Sequence, residues 1–356
     1  MHPFLKWAIP IGIVIVLIVV GVVFYIRNQM SKLPGLSFAE ALAYTTDGVA
    51  DAVITVGVIK DGQATYTVYG QNAAVLPTQA HTYEIGSLTK TLTAALVARA
   101  ADDGLLDLDA TIDRYLDLPQ GNAYPTIRAL LTHTSGYRGF YFEKPMIANF
   151  FKGRNDFYGV TDEMLLASIS KLSMDQVQYD FNYSNYGFAV LGLVLEAVHG
   201  EEYTVLLNRF VQQDLGLSHT KISDGTGDLG HYWDWQPGDA YLSAGAVTSD
   251  IHDMLTYARM QLDGDPRFAA CHASIRTIAS SPAAAMGIHT DEIGMAWIHD
   301  RANGFIWHNG GTGHYNCHLG FDPETKTAVV ILSNLAPNHR IPATVLGVKL
   351  LQELTR

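Results

Sequence analysis

The chain has 356 residues, 48% of them hydrophobic and 16% charged, so it carries enough apolar material for a sizeable core and is neither disordered nor fibrous. Lys plus Arg number 23 against 35 Asp plus Glu, a formal charge of −12 that argues against nucleic acid as a partner, because phosphates need a basic face. Two cysteines exclude a disulfide scaffold and a four-cysteine zinc site.

Residues 7–26 carry no charge. At about 1.5 Å per residue, 20 such residues span roughly the 30 Å hydrocarbon core of a bilayer. Lys6 and Arg27 bracket the run, and Trp7 and Tyr25 sit where interfacial aromatics belong. The run is long for a signal-peptide core, and no small-x-small cleavage site follows. This predicts a single transmembrane helix contacting lipid through residues 7–26, with residues 1–32 as anchor and linker. Residues 33–356 then form one body. Lys6 and the amino terminus balance Arg27 and Lys32, so charge does not set the orientation.

Ser37 followed by Glu40 has the form of a capping box and predicts a short helix over 37–44. Residues 52–59 and 65–69 read as strands joined at Asp61-Gly62, a hairpin signal. Leu88, Leu92, Ala95, Leu96 and Ala100 fall at helical spacing and predict a helix over 87–106, stopped by Gly104. The segments 126–132, 161–171, 186–199, 203–214 and 249–262 also read as helices. Strand signals return at 294–299, 304–309, 316–321 and 328–333, before a closing helix over 341–354. The simplest packing is an α+β fold. One antiparallel sheet comes from both chain ends, about 50–80 and 290–356, with a helical lobe of about 87–285 inserted between its halves. A cleft between sheet and lobe is the expected place for a site.

Three short motifs carry chemistry. Ser87-Leu88-Thr89-Lys90 opens a helix, so the Ser87 hydroxyl and the Lys90 amine share a face. A helix start also offers unpaired N–H groups to a developing oxyanion. Tyr183-Ser184-Asn185 precedes an apolar helix; an ammonium nearby would lower the Tyr183 phenol and make it a general base. His308-Asn309-Gly310-Gly311 ends a strand and leads into Thr312, with glycines that let another backbone approach closely. Each motif alone also reads as an ordinary helix start or turn.

Taken in this order, Ser-x-x-Lys, Tyr-x-Asn and His-x-Gly, the sequence resembles the serine β-lactamase-like and penicillin-binding-protein family. That family includes class C β-lactamases, D-Ala-D-Ala carboxypeptidases, D-aminopeptidases and esterases. Residues 130–137, 241–246 and 307–322 are similar to it as well. The resemblance covers residue 37 onward. It implies a β-lactamase/transpeptidase-like fold and a serine hydrolase working through a Ser87 acyl-enzyme. Lys90 and Tyr183 would share the Ser87 proton, and Asn185 would hold the substrate amide. His308 would keep positive or hydrogen-bonding character beside Tyr183. The N–H groups of Ser87 and Gly311 would form an oxyanion hole, with Gly310 and Thr312 lining the substrate. Arg340, in a stretch resembling the Asn and Arg pair of class C enzymes, would bind a substrate carboxylate. Class C enzymes carry Lys-Thr-Gly where this chain has His308-Asn309-Gly310, which points towards the carboxypeptidase and esterase branches.

The expected activity is therefore that of a DD-peptidase or D-amino-acid amidase on small peptides, amides or esters. It needs no cofactor and no metal. An esterase or β-lactamase of the same family is the alternative. A tethered sensor that acylates at Ser87 without turnover, or a non-catalytic scaffold, is the reading from another class. The resemblance to cell-wall enzymes, with the anchor, places the domain outside the cytoplasm at the cell membrane. His314 and His318 would stand about 13 Å apart on a strand, too far to share an ion. Cys271 and Cys317 are open to pairing or to staying core thiols.

Overall fold

The computed structural model describes residues 35–172, 174–175, 179–279, 281 and 283–356. Ser37 caps the helix Phe38–Thr46: its side chain accepts from the Glu40 N–H while the Glu40 carboxylate accepts from the Ser37 N–H, at 2.8 Å. Strands β1 (Ile54–Lys60) and β2 (Gln63–Tyr69) form a hairpin turned by Asp61 and Gly62, both at positive φ. Three short strands come from the middle of the chain: β3 (Tyr83–Glu84), β4 (Lys221–Ile222) and β5 (Val247–Ser249). The C-terminal part supplies β6 (Arg276–Thr277), β7 (Glu292–Ile293), β8 (Ile298–Asp300), β9 (Phe305–Gly311), β10 (Asn316–Asp322) and β11 (Thr327–Ser333).

Among the described residues the main sheet runs β2-β1-β11-β10-β9-β8-β7-β6, with antiparallel neighbours. The N-terminal hairpin joins it where Ile54 pairs with Ser333 and Ile59 with Ala328. Every residue of β11 is buried, because both faces of the sheet are covered. Successive side chains point to opposite faces. Ala328, Val330 and Leu332 accordingly join the core under the helical lobe, while Val329 and Ile331 pack under the helices Phe38–Thr46 and Ala343–Thr355.

The helical lobe is built around Thr89–Asp102, whose residues from Thr89 to Ala98 are all buried. The small sheet β3-β5-β4, which the sequence did not suggest, joins this lobe to the strand preceding Ser87. The helix Lys144–Lys152 was likewise not read from the sequence. The segment expected to be helical to residue 214 ends as Tyr203–Arg209, followed by a wider π-type turn over Phe210–Asp214.

The expectation of a single-pass cell-membrane protein is corrected. Among the described residues no helix is long and apolar enough to cross a membrane. Residues 7–26, with their expected span and lipid contact, lie outside the described residues.

Candidate active site

After β3 the chain passes through Ile85 into a tight turn, Gly86–Leu88, that feeds the helix Thr89–Asp102. This turn is pressed against the end of β9. An added Cβ on Gly86, which has φ +49°, would lie 2.6 Å from Gly311 N; one on Gly310 would lie 1.9 Å from Ile85 O. Only hydrogen atoms fit at both contacts. The Cys317 thiol donates to the same Ile85 carbonyl at 2.9 Å. Ser87 is therefore held between a helix start and a strand end, at the mouth of a cavity.

Lys90 stands one turn along the helix and is fully buried. Its Nζ lies 2.9 Å from Ser87 Oγ, 2.8 Å from Asn185 Oδ1 and 2.6 Å from Ala244 O. No carboxylate pairs with it among the described residues. Burial holds the amine well below its ordinary value of 10.5. Its Nζ donates to the Ser87, Asn185 and Ala244 oxygens, and an amine lowered in this way readily gives up a proton and frees a lone pair toward Ser87 Oγ.

Tyr183 is positioned by its neighbours. Ser184 caps the helix Asn185–His199, accepting from Gly187 N at 2.8 Å and donating to Arg138 O at 2.6 Å, a cap worth about 1 kcal/mol. The Ser184 N–H donates to His133 Nδ1 at 3.1 Å. The buried His133 ring lies under the Tyr183 ring with centroids 4.4 Å apart. On the site side, Lys90 Nζ is 5.0 Å from the Tyr183 ring centroid. Tyr183 is 38% exposed, yet its hydroxyl turns inward to hydrogen-bond Ser87. The sequence-based expectation of a lowered phenol is overturned: burial raises it, and the Ser87 bond opposes this only in part.

His308 is buried with its ring 6.4 Å from that of Tyr183, and its Nδ1–H donates to Asn309 O at 2.6 Å. Burial first, then the Lys90 amine, push it down to about 3, so it is neutral rather than positive. His133 is pushed well down by burial, then by Lys90 and His308.

Gly311 lies one register position past the closely packed Gly310. Thr312 N donates to Tyr315 O at 3.0 Å, and Gly310 pairs with Cys317. Antiparallel ladders alternate, so the Gly311 N–H between them points away from β10. On that side β8 pairs with β9 only as far as Trp307, which leaves the Gly311 amide facing the Ser87 turn.

Ser87, Asn185 and Gly311 line one cavity of ≈ 90 Å³ with Phe157, Trp233, Trp235, Tyr241, Ala244 and Gly245. Three expected substrate contacts are absent from its lining. Gly310 is buried against Ile85, and the Thr312 hydroxyl donates to Glu84 Oε2 at 2.5 Å. The Arg340 guanidinium donates to Tyr44 O at 2.7 Å and Asp47 O at 2.9 Å, closing the C-terminal end of the helix Phe38–Thr46. A carbonyl-rich helix end captures the cation that the sequence suggested for a substrate carboxylate.

Two contributors were missed. His133 lay in a stretch read as a helix end with turn residues, and its role depends on a contact 50 residues away. Glu84, three residues before Ser87, is buried and accepts from Thr312 and from Trp233 N at 2.7 Å. Burial raises it to about 7 against these two hydrogen bonds. Its position before Ser87 was the available signal. Cys271 and Cys317 are separate buried thiols. Among the described residues, His219, Asp250 and Asp253 bring three ligand atoms within 4.8 Å, but Asp250 already caps the helix Ile251–Asp263 and Asp253 accepts from His219 N and Thr220.

A β-lactamase of Providencia stuartii is 32% identical over 143 residues, 39% of this chain and 34% of that protein. The chain spans about a third to a half of the length of the curated relatives it matches first. Its fold is similar to a β-lactamase/D-alanine carboxypeptidase from Yersinia pestis, at 19% identity and TM-score 0.73, covering 93% of this chain and 99% of that one. A D-stereospecific amidohydrolase from Streptomyces sp. superimposes with TM-score 0.64 at 21% identity, over 84% of this chain and 94% of that one. Residues 29–350 match the family described as Beta-lactamase, and the chain accordingly belongs to that family.

Proposed function

We propose that the protein is a serine hydrolase that works through a Ser87 acyl-enzyme on neutral esters or amides. The observation that carries this reading is the Lys90 amine, buried with no carboxylate partner among the described residues and 2.9 Å from Ser87 Oγ. The Ser87 proton passes to the Lys90 lone pair as Oγ bonds to the substrate carbonyl carbon. The oxyanion accepts hydrogen bonds from the Ser87 and Gly311 N–H groups, where losing one donor typically costs on the order of 10²–10³ in turnover. Collapse breaks the bond to the leaving group, which takes the Tyr183 proton, and the Lys90 ammonium restores the phenol. Water then attacks the acyl-enzyme by the same path in reverse.

The cavity walls are aromatic, His308 is neutral and Arg340 is engaged at a helix end, so the site favours uncharged substrates over carboxylate-terminated peptides. A peptidase or amidase reading has its own support. Asn185 turns Oδ1 to Lys90 while lining the cavity, so its amide N–H₂ is placed to donate to a substrate carbonyl. Ser87→Ala should abolish labelling by a serine-reactive phosphonate, read by intact mass, with the thermal midpoint nearly unchanged. Undiminished labelling would sink the assignment. A panel of short ester, D-aminoacyl amide, D-Ala-D-Ala peptide and β-lactam then ranks the substrate classes.

A further inference from the structure

The helix Lys144–Lys152 is amphipathic in the wrong sense for a solvent-facing element. Phe150 and Phe151 are 75% and 82% exposed, and Ile147, Phe140 and Phe142 are also open to solvent. Single exposed apolar residues are ordinary, but a contiguous apolar patch marks a binding surface. Here the patch is concave. Phe140, Phe142, Met146, Ile147, Phe150 and Phe157 line a groove of ≈ 340 Å³, within the size range of pockets that hold small organic ligands.

The groove and the catalytic cavity share a wall. Phe157 lines both. Its ring meets Phe140 on the groove side, with centroids 6.4 Å apart. On the other side it stacks on Tyr241 at 4.2 Å and meets Trp233 edge-on at 6.5 Å. An unbroken run of aromatic faces therefore leads from the open groove to the cavity where Ser87 lies. The run is fixed in place. Asn155 donates to Asp234 O at 3.0 Å and accepts from Phe157 N at 3.0 Å. Arg154 pairs with Asp234, and Gly159 N donates to Asp239 Oδ1 at 2.9 Å. These bonds tie both flanks of Phe157 to the segment carrying Trp233 and Trp235.

We infer that this groove is a substrate subsite, and that the substrate acylating Ser87 carries a long apolar chain that runs over Phe157 into it. The continuity through Phe157 selects this occupant over a second copy of the chain or a lipid surface, neither of which reaches the cavity. The inference rests on the Ser87 reading above. A methylene fully withdrawn from water contributes about fourfold in binding, and one half covered by an open groove about twofold.

The test is chain-length selectivity. 4-Nitrophenyl esters from acetyl to decanoyl vary the acyl side, and alkyl acetates vary the alcohol side. The kcat/KM should rise with length in one series, reaching on the order of 10²-fold over eight added methylenes. Ile147→Glu and Phe150→Glu place a charge in the groove on exposed positions, and each should cut the long-to-short ratio at least tenfold with the thermal midpoint held. In Ser87→Ala protein, n-decanol should still shift the Trp233 and Trp235 fluorescence, and Phe150→Glu should abolish that shift. Flat profiles in both series, with short-ester hydrolysis that still needs Ser87, overturn the subsite alone. Absence of any Ser87-dependent hydrolysis overturns the functional reading and this inference with it. An unchanged ratio in both variants, accompanied by loss of self-association or of binding to phosphatidylcholine vesicles, gives the face to another occupant and overturns the subsite.

Discussion

Gly310→Ala tests whether the approach of β9 to the Ser87 turn sets the geometry of the site. The added methyl would sit 1.9 Å from Ile85 O and 2.8 Å from Cys317 Sγ. Real Cβ atoms essentially never come closer than 3.0 Å, so strand and turn must separate by about 1.1 Å or more. Neither side can yield by rotating a side chain, since Ile85 O is backbone and is already bonded to Leu88 N and the Cys317 thiol. The Ser87 and Gly311 amides lie on opposite sides of this seam. Separating them by about 1 Å pulls the two proposed oxyanion donors apart, and a misplacement of that size costs roughly 10²-fold in rate. The same overpacking should cost about 1–3 kcal/mol of stability. The assay is kcat/KM on a short ester and the rate of phosphonate labelling, each set beside a thermal melt. Asn309→Ala, an exposed neighbour, is the control. A Gly310→Ala enzyme within threefold of the parent, still folded, would refute the claim that this contact positions the oxyanion donors.

Lys90→Met should lower kcat/KM by 10³ or more. In the parent, activity should rise with pH through the Lys90 titration and level off well short of 10.5; a rate still climbing steeply at pH 10 would show that the amine starts charged. His308 and His318 are both held near 3 by burial, so between that value and the unfolded 6.5 the unfolded chain binds more protons and stability rises with pH. At pH 5 each should therefore cost about 2 kcal/mol relative to neutral pH, and His318→Leu should flatten the acid side of a plot of thermal midpoint against pH. Arg340→Ala should leave KM alike for neutral esters and carboxylate-terminated peptides while lowering stability by about 1 kcal/mol, because its bonds go to Tyr44 and Asp47 and are partly exposed. A KM increase confined to the carboxylate substrate would restore Arg340 to the site.

Local signals were enough to read the hairpin at Asp61-Gly62, the capping box at Ser37 and the helix that follows Ser87. Each is written in residues within about one turn of one another, where backbone sterics and short-range hydrogen bonds act. The association of Ser87, Lys90, Tyr183, Asn185 and Gly311 was also legible, through motif order rather than through any contact the sequence displays. What the sequence could not supply was the electrostatic state of those groups. Charge on Lys90, Tyr183 and His308 depends on how much water remains around them, which follows from the packing of helices 50 to 150 residues apart. The same limit applied to Arg340: a guanidinium near a site motif looks like a carboxylate receptor until the fold puts the C-terminal end of the helix Phe38–Thr46 within its reach. His133 became a support for Tyr183, and Phe157 a wall between groove and cavity, only when distant segments were brought together. Residue type and spacing thus determined which chemistry was available, and tertiary burial decided in which direction each of these groups is shifted and which side chains share the cavity.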